Sequence, residues 1–292
     1  MVLFDTAILT GQLAPPSLAG YQQDLTAYLQ FCGDAGTALE ATSLLRWRLH
    51  LAQDTRLSPS TINRRLAAVK RVVAEAAAHG AVDHGTAEAF RRVPGVLPKA
   101  MKDRITVPTR ITPAQMRILC ELPPRTRLMG WRDRALLHTL ASSGCRVSEL
   151  VTLTTGQIRS EAGSFFLEVV GKNHTAPRLA PLSHEAYGAI EAWLARRPVE
   201  SAYVFTSVTR KGHHPTGRPL DRSAAWRLVQ RYAHQVGLTH VSPHDFRRFV
   251  GTELAKRDIR QAQKALGHAR IETTARHYVL DELAGGLTDG LY

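Results

Sequence analysis

At 292 residues and 44% hydrophobic content, the chain has material for two domains with real cores and is too apolar for a disordered protein. Its formal charge is +13, and residues 101–292 hold 28 Lys+Arg against 17 Asp+Glu whereas residues 1–100 hold 10 against 8, so a polyanionic partner is expected mainly for the second part. The cysteines Cys32, Cys120 and Cys145 are scattered and form no C-x-x-C, which argues against a disulfide framework or a cysteine-based zinc site; Met1–Thr10 does not read as a signal peptide, no apolar run nears the roughly 18 residues of a membrane span, and the expected compartment is the cytoplasm.

In chain order, apolar residues at Leu18, Tyr21, Leu25, Tyr28, Leu29 and Cys32 mark one face of a first helix. Ser58-Pro59 opens a second with an N-cap residue and proline at the first helical position. Its apolar stripe is Ile62, Leu66, Val69, Val72 and Val73, and Arg64, Arg65, Lys70 and Arg71 lie mainly off it. Such charges alone mean a solvated face; beside the chemistry described below they are candidates for a DNA-facing one. Residues 94–113, with Pro94-Gly95, Pro98, Lys99, Lys102, Arg104, Pro108 and Pro113, read as a basic linker. The expected division is therefore a helical domain over 1–97, a linker over 98–110 and a second domain over 111–292, starting with a helix at Thr112-Pro113. That domain is expected to hold a helix over Gly130–Ser142 and a hairpin of Ser164–Val170 and Arg178–Leu182 turning at Gly171-Lys172-Asn173-His174. Further helices are expected over Ser183–Arg196, Asp221–Val236, Pro243–Lys256, Arg260–Leu266 and Ile271–Leu280, with Thr206–Pro219 as a loop. The fold class is mainly α with a small antiparallel β-sheet.

Three clusters carry the chemistry: Ser143-Gly144-Cys145-Arg146-Val147-Ser148-Glu149-Leu150, His244-Asp245-Phe246-Arg247, and Leu266-Gly267-His268 followed by His277-Tyr278. A phosphodiester repels nucleophiles through its anionic oxygens, so cleaving it without metal calls for preorganised cationic donors, and arginine gives a planar, permanently charged fork. Arg146 and Arg247 are the candidate clamps; the bland alternative is surface ion pairing, for instance Arg247 with Asp245. His244 and Arg247, three apart, share a helix face. His268 stands at a helix end as a third donor, and Tyr278 offers a phenol whose attack would store the bond energy in a phosphotyrosyl ester. Most histidines and tyrosines are structural; His213-His214 is a poor metal pair because adjacent side chains diverge, and no metal or other cofactor is expected.

The order and local spacing of these clusters resemble the tyrosine recombinase (phage-integrase-like) family over most of the chain, in its two-domain Xer-like form. The resemblance implies the catalytic set Arg146, Lys172, His244, Arg247, His268 and Tyr278, with Glu149 supporting the first arginine and Lys172 as general acid at the hairpin tip. It also implies a helical core-binding domain and a catalytic domain closing on DNA as a C-shaped clamp, with no room for an added arm-binding domain. The enzyme would be a site-specific DNA recombinase, acting as a homotetramer on two double-stranded sites through a 3′-phosphotyrosyl intermediate and a Holliday junction, without metal or ATP. An accessory directionality factor is a possible partner. Leu280, Leu283, Leu287 and Leu291 in the tail would reach a neighbouring subunit. Two departures stand out: the hairpin lacks a second lysine, and Cys145 replaces an aliphatic residue. The rival readings are a type IB topoisomerase, a DNA-binding regulator indifferent to Tyr278→Phe, and a metal-dependent nuclease sensitive to chelator.

Overall fold

The computed structural model describes residues 4–104, 109–171, 176–209 and 215–278, and the chain divides into two compact units, Met1–Val107 and Pro108–Tyr292. The first unit holds α1 (Pro15–Cys32), α2 (Ala35–Ala38), α3 (Ala41–Gln53), α4 (Pro59–Ala78) and α5 (His84–Arg92), flanked by 3₁₀ turns at Thr6–Leu9 and Pro98–Arg104. Proline in the first turn starts both α1 and α4, and the Ser58 hydroxyl accepts from the Thr61 amide to cap α4. The expected stripe of α4 is buried, and it packs with Leu25 and Tyr28 of α1, Leu44 and Trp47 of α3, and Phe90 of α5. Tyr28 lies 5.0 Å from Trp47 between ring centres and donates its hydroxyl proton to Ala38 O at 3.0 Å, so the apolar ring and its polar end are both satisfied.

Part of the stretch expected as a linker over 98–110 lies within this unit. Residues Pro98–Arg104 form a 3₁₀ segment whose Met101 is buried in the first core, and Arg104 Nη1 donates to Thr55 O at 2.7 Å. Proline and cations make the backbone irregular there, and Met101 and Arg104 fasten it to the first core. Residues 105–108 lie outside the described ones.

The second unit begins with α6 (Pro113–Glu121), where Thr112 and Gln115 form a reciprocal capping box. It continues with α7 (Leu128–Ser143), α8 (Val147–Val151), β1 (Ile158–Glu161), β2 (Ser164–Val170), β3 (Pro177–Leu182) and α9 (His184–Leu194). After β4 (Thr206–Val208) and β5 (Pro215–Pro219) come α10 (Arg222–Gln235), α11 (Pro243–Ala255), α12 (Ile259–Leu266) and α13 (Ile271–Tyr278). The sheet β1-β2-β3 is antiparallel throughout, with Ile158 opposite Leu167 and Val170 opposite Pro177. Leu167 and Val169 of β2 face a core shared with Leu136 and Leu140 of α7, Ile190 and Trp193 of α9, and Phe246 of α11.

The stretch Thr206–Pro219, expected as a loop, is corrected to a two-stranded antiparallel ribbon of β4 and β5, with residues 210–214 undescribed. Pro215 and Pro219 donate no ladder hydrogen bond, which a ribbon tolerates because both its strands are edges. It is anchored by the buried Phe205, whose carbonyl accepts from the Leu220 amide at 2.9 Å. Among the described residues no helix is long and apolar enough to cross a membrane.

Candidate active site

Three helix ends of the second unit build the site. α7 stops at Gly144, which has φ 60° and lies so close to α11 and α12 that a Cβ there would stand 2.8 Å from Leu266 Cδ2. Only glycine meets both demands. The chain then turns into Arg146, the N-cap of α8, whose amide donates to Glu149 Oε2 and whose Nη1 donates to Glu149 Oε1, each at 2.9 Å. Glu149 thus aims the arginine from a nearly buried position.

α11 opens with a second box, in which the Ser242 amide and hydroxyl both donate to Asp245 Oδ2 at 2.8 and 2.6 Å. Asp245 is therefore occupied as a cap and pairs with Arg248, at 3.7 Å, rather than with Arg247. Arg247 is 2% exposed; Nη1 donates to Gly144 O and Nη2 to Leu266 O, each at 2.7 Å, and Nη2 stands 3.1 Å from His268 Nε2. A guanidinium cannot accept, so in that contact His268 Nε2 is the acceptor, and Nδ1 stands 3.0 Å from Thr274 Oγ1. The two ring nitrogens of His268 thus face Arg247 and Thr274.

Burial lowers the Arg247 pKa, and the Arg146 guanidinium adds to this while Tyr278 opposes it. Arginine nonetheless stays charged. His244 has an exposed surface, yet desolvation by neighbouring protein holds its pKa below the ordinary histidine value, reinforced by Arg248, Arg247 and Arg146 and opposed by Asp245. The neutral imidazole is thereby favoured at physiological pH.

His268 follows Gly267, the left-handed end of α12 at φ 66°. Tyr278 ends the described part of α13, is 4% exposed, and stacks on His268 with ring centres 5.6 Å apart and planes 10° from parallel. Against the ring is Gly251 of α11, where a Cβ would stand 2.6 Å from Tyr278 Cδ1. Sequence reasoning missed Gly251, and also Thr274 and Arg178; the only signal for the glycine is its place inside a helix, where it costs about 1 kcal/mol relative to alanine. Arg178 Nη2 donates to Glu149 Oε2 at 2.9 Å.

Arg146, Glu149, Arg247, His268 and Tyr278 are thus linked by contacts running from the start of α8 through α11 to the end of α12 and α13. His244 lies on the same α11 as Arg247, close enough for the Arg247 and Arg146 charges to act on it. Lys172, expected at the hairpin tip, lies outside the described residues, as do His213, His214 and the leucines of the tail. Among the described residues no three His, Cys, Asp or Glu side chains converge to hold a metal ion. In the first unit the α4 cations have internal partners. Arg64 pairs with the buried Asp24, Arg65 Nε is 3.6 Å from the same carboxylate, Lys70 donates to Val93 O, and Arg71 to Gln12 Oε1.

Comparison with known proteins agrees with both units. Residues 109–282 match the model of the phage integrase family, and residues 3–80 match the phage integrase N-terminal SAM-like domain. Over 281 residues the chain is 32% identical to tyrosine recombinase XerC of Pelobacter propionicus, covering 93% of this chain and 87% of that protein. Tyrosine recombinase XerD of Chlamydia pneumoniae is 36% identical over 192 residues, 61% of this chain and 60% of that one. Among solved structures, the Tn1549 transposon integrase in complex with circular intermediate DNA shares the fold at a TM-score of 0.70 and 16% identity, covering 98% of each chain. The chain belongs to the phage integrase family. Within it, the protein is a Xer-like tyrosine recombinase of two domains, an enzyme of site-specific DNA recombination.

Proposed function

We propose that Tyr278 is the nucleophile of this recombinase and that Arg146 and Arg247 hold the non-bridging oxygens of the scissile phosphate. The phenol oxygen forms a bond to phosphorus as the bond to the 5′-oxygen breaks, leaving a 3′-phosphotyrosyl ester and a free 5′-hydroxyl. His244, neutral through its lowered pKa, accepts the phenol proton. Lys172 gives a proton to the leaving 5′-oxygen. A 5′-hydroxyl from the partner duplex then reverses the step, so bond energy is kept and no ATP is consumed. No step calls for a metal ion. The observation that carries this reading is the contact chain from Gly144 through Arg247 to His268 and Tyr278, which brings residues distant in sequence together around one buried guanidinium.

Carried to the whole reaction, the reading gives a homotetramer on two double-stranded recombination sites in the cytoplasm, exchanging strands through a Holliday junction. The N-terminal domain binds DNA through Arg64, Arg65, Lys70 and Arg71, exchanging internal partners for phosphates, and any directionality factor acts outside the cleavage chemistry. Wild-type protein and Tyr278→Phe, incubated with a DNA library in EDTA and then denatured, test the core of it. Protein-linked DNA is expected from the wild type alone, and sequencing the attached fragments gives the site. A persistent adduct in the variant rules Tyr278 out, and an adduct that needs metal points to nuclease chemistry.

A further inference from the structure

Glu149 presents a problem that Arg146 alone does not solve. A nearly buried carboxylate in direct contact with a phosphate-binding arginine aims it but also cancels its charge, and a neutral pair is a poor partner for an anion. The structure supplies a second cation. Arg178 of β3 reaches under the site, its side chain 14% exposed, and Nη2 donates to Glu149 Oε2 at 2.9 Å while Arg146 takes Oε1 at 2.9 Å. Two arginines on one carboxylate leave a net charge of +1 where a single pair would leave none.

Arg178 also grips the other half of the site. Nη1 donates to Ala265 O, next to the Leu266 carbonyl that holds Arg247, and Nη2 lies 3.9 Å from Cys145 Sγ. Its stem passes over Gly267, where a Cβ would come within 2.5 Å of Arg178 Cδ. Gly267 thus ends α12 and also makes room for this arginine. One side chain touches the carboxylate that aims Arg146, the thiol before Arg146, and the helix end from which His268 projects.

We propose that Arg178 is a positioning residue for strand cleavage: it offsets Glu149 so that Arg146 meets the phosphate with uncompensated charge, and it fixes the end of α12 against the first arginine. This rests on the reading of Arg146 as a phosphate clamp. It can be tested by single-turnover cleavage at saturating DNA, using a site recovered from the wild-type adduct, with DNA affinity and melting temperature followed in parallel. Arg178→Met is expected to lower cleavage about 10²-fold, the scale of one lost transition-state donor, with affinity changed less than about threefold. Arg178→Lys, which keeps a charge on Glu149, should recover at least about tenfold over the methionine variant. Combining Arg178→Met with Glu149→Gln should lose no more than the worse single variant, because the two act through one another.

Cleavage near the wild-type rate in the methionine variant overturns the proposal. So do losses that multiply in the double variant, or a loss in affinity equal to the loss in cleavage, which would make Arg178 a direct DNA contact. Should the methionine variant fail to fold, the folded lysine variant decides: lysine near wild-type rate supports the charge role, and lysine with a full loss overturns it. Arg146→Ala, run alongside, separates the two readings, since an undiminished rate there removes the clamp assignment whatever Arg178 does.

Discussion

The ring of Tyr278 rests where the Cβ of any residue but glycine would stand at position 251, and it stacks on His268. Gly251→Val therefore forces the ring out of its seat. Adduct formation is expected to fall about 10²-fold, the cost of misplacing a reacting group by about an ångström. DNA affinity should hold within a few fold, and an affinity loss equal to the cleavage loss would show damage beyond the slot. His244 gives a pH signature. Its pKa is lowered chiefly by desolvation and then by Arg248 and Arg247. The neutral, proton-accepting form therefore persists below the ordinary value of about 6.5, and cleavage is lost only as pH falls past the lowered pKa. The profile measured between roughly pH 5 and 8 should show its acid limb below 6.5, and His244→Gln should remove that limb. An acid limb above 6.5 would assign it to another group. Arg146, His244, Arg247, His268 and Tyr278 were legible because each stands in a short motif whose chemistry is local. Arg178, Gly251 and Thr274 were not, because their roles depend on contacts made across 29, 27 and 6 residues with partners that only the fold brings near.

At the scale of elements, the helices that announced themselves carry start signals in the chain: Ser58-Pro59 for α4, Thr112-Pro113 for α6 and Pro243 for α11. α3 lacks a side-chain cap, and Arg46, Arg48 and His50 interrupt its apolar residues. β1 is a largely exposed edge strand, so no alternation marked it, and the prolines of β5 read as breakers. α7 is buried on nearly all sides, and its charges have been absorbed into a cluster that sequence pattern cannot predict. Asp133, 1% exposed, accepts from Arg132 at 2.7 Å, from Arg231 at 2.7 Å and from Tyr232 Oη at 3.1 Å, tying α7 to α10. Asp133→Ala leaves Arg132 buried with its charge uncompensated, and the expected destabilisation is about 3–5 kcal/mol in urea unfolding. A loss under about 1 kcal/mol would mean that Arg132 turns out to solvent and that the cluster contributes little.

At the scale of the whole molecule, charge and architecture divide along the same line. The two units have separate cores, and of the formal charge of +13 only +3 falls in the first unit, residues 1–107. Two of the first unit's cations, Arg64 and Arg65, are also paired internally with the buried Asp24. The second unit keeps Arg222 and Arg227 exposed on α10, beside an exposed Trp226. Since each phosphate contact releases condensed counterions, the salt dependence of binding counts the cations that reach DNA. If 6–10 phosphates are contacted, affinity should fall about 10³–10⁵-fold between 50 and 200 mM salt. Replacing Arg64, Arg65, Lys70 and Arg71 together by alanine tests the first unit's share, with the melting temperature checking that α4 still packs. A log–log slope shallower by about 0.9 for each cation lost would place α4 on the DNA. An unchanged slope would mean that these four serve the fold of the first unit, leaving the electrostatic grip to the second unit and to other cations of the first.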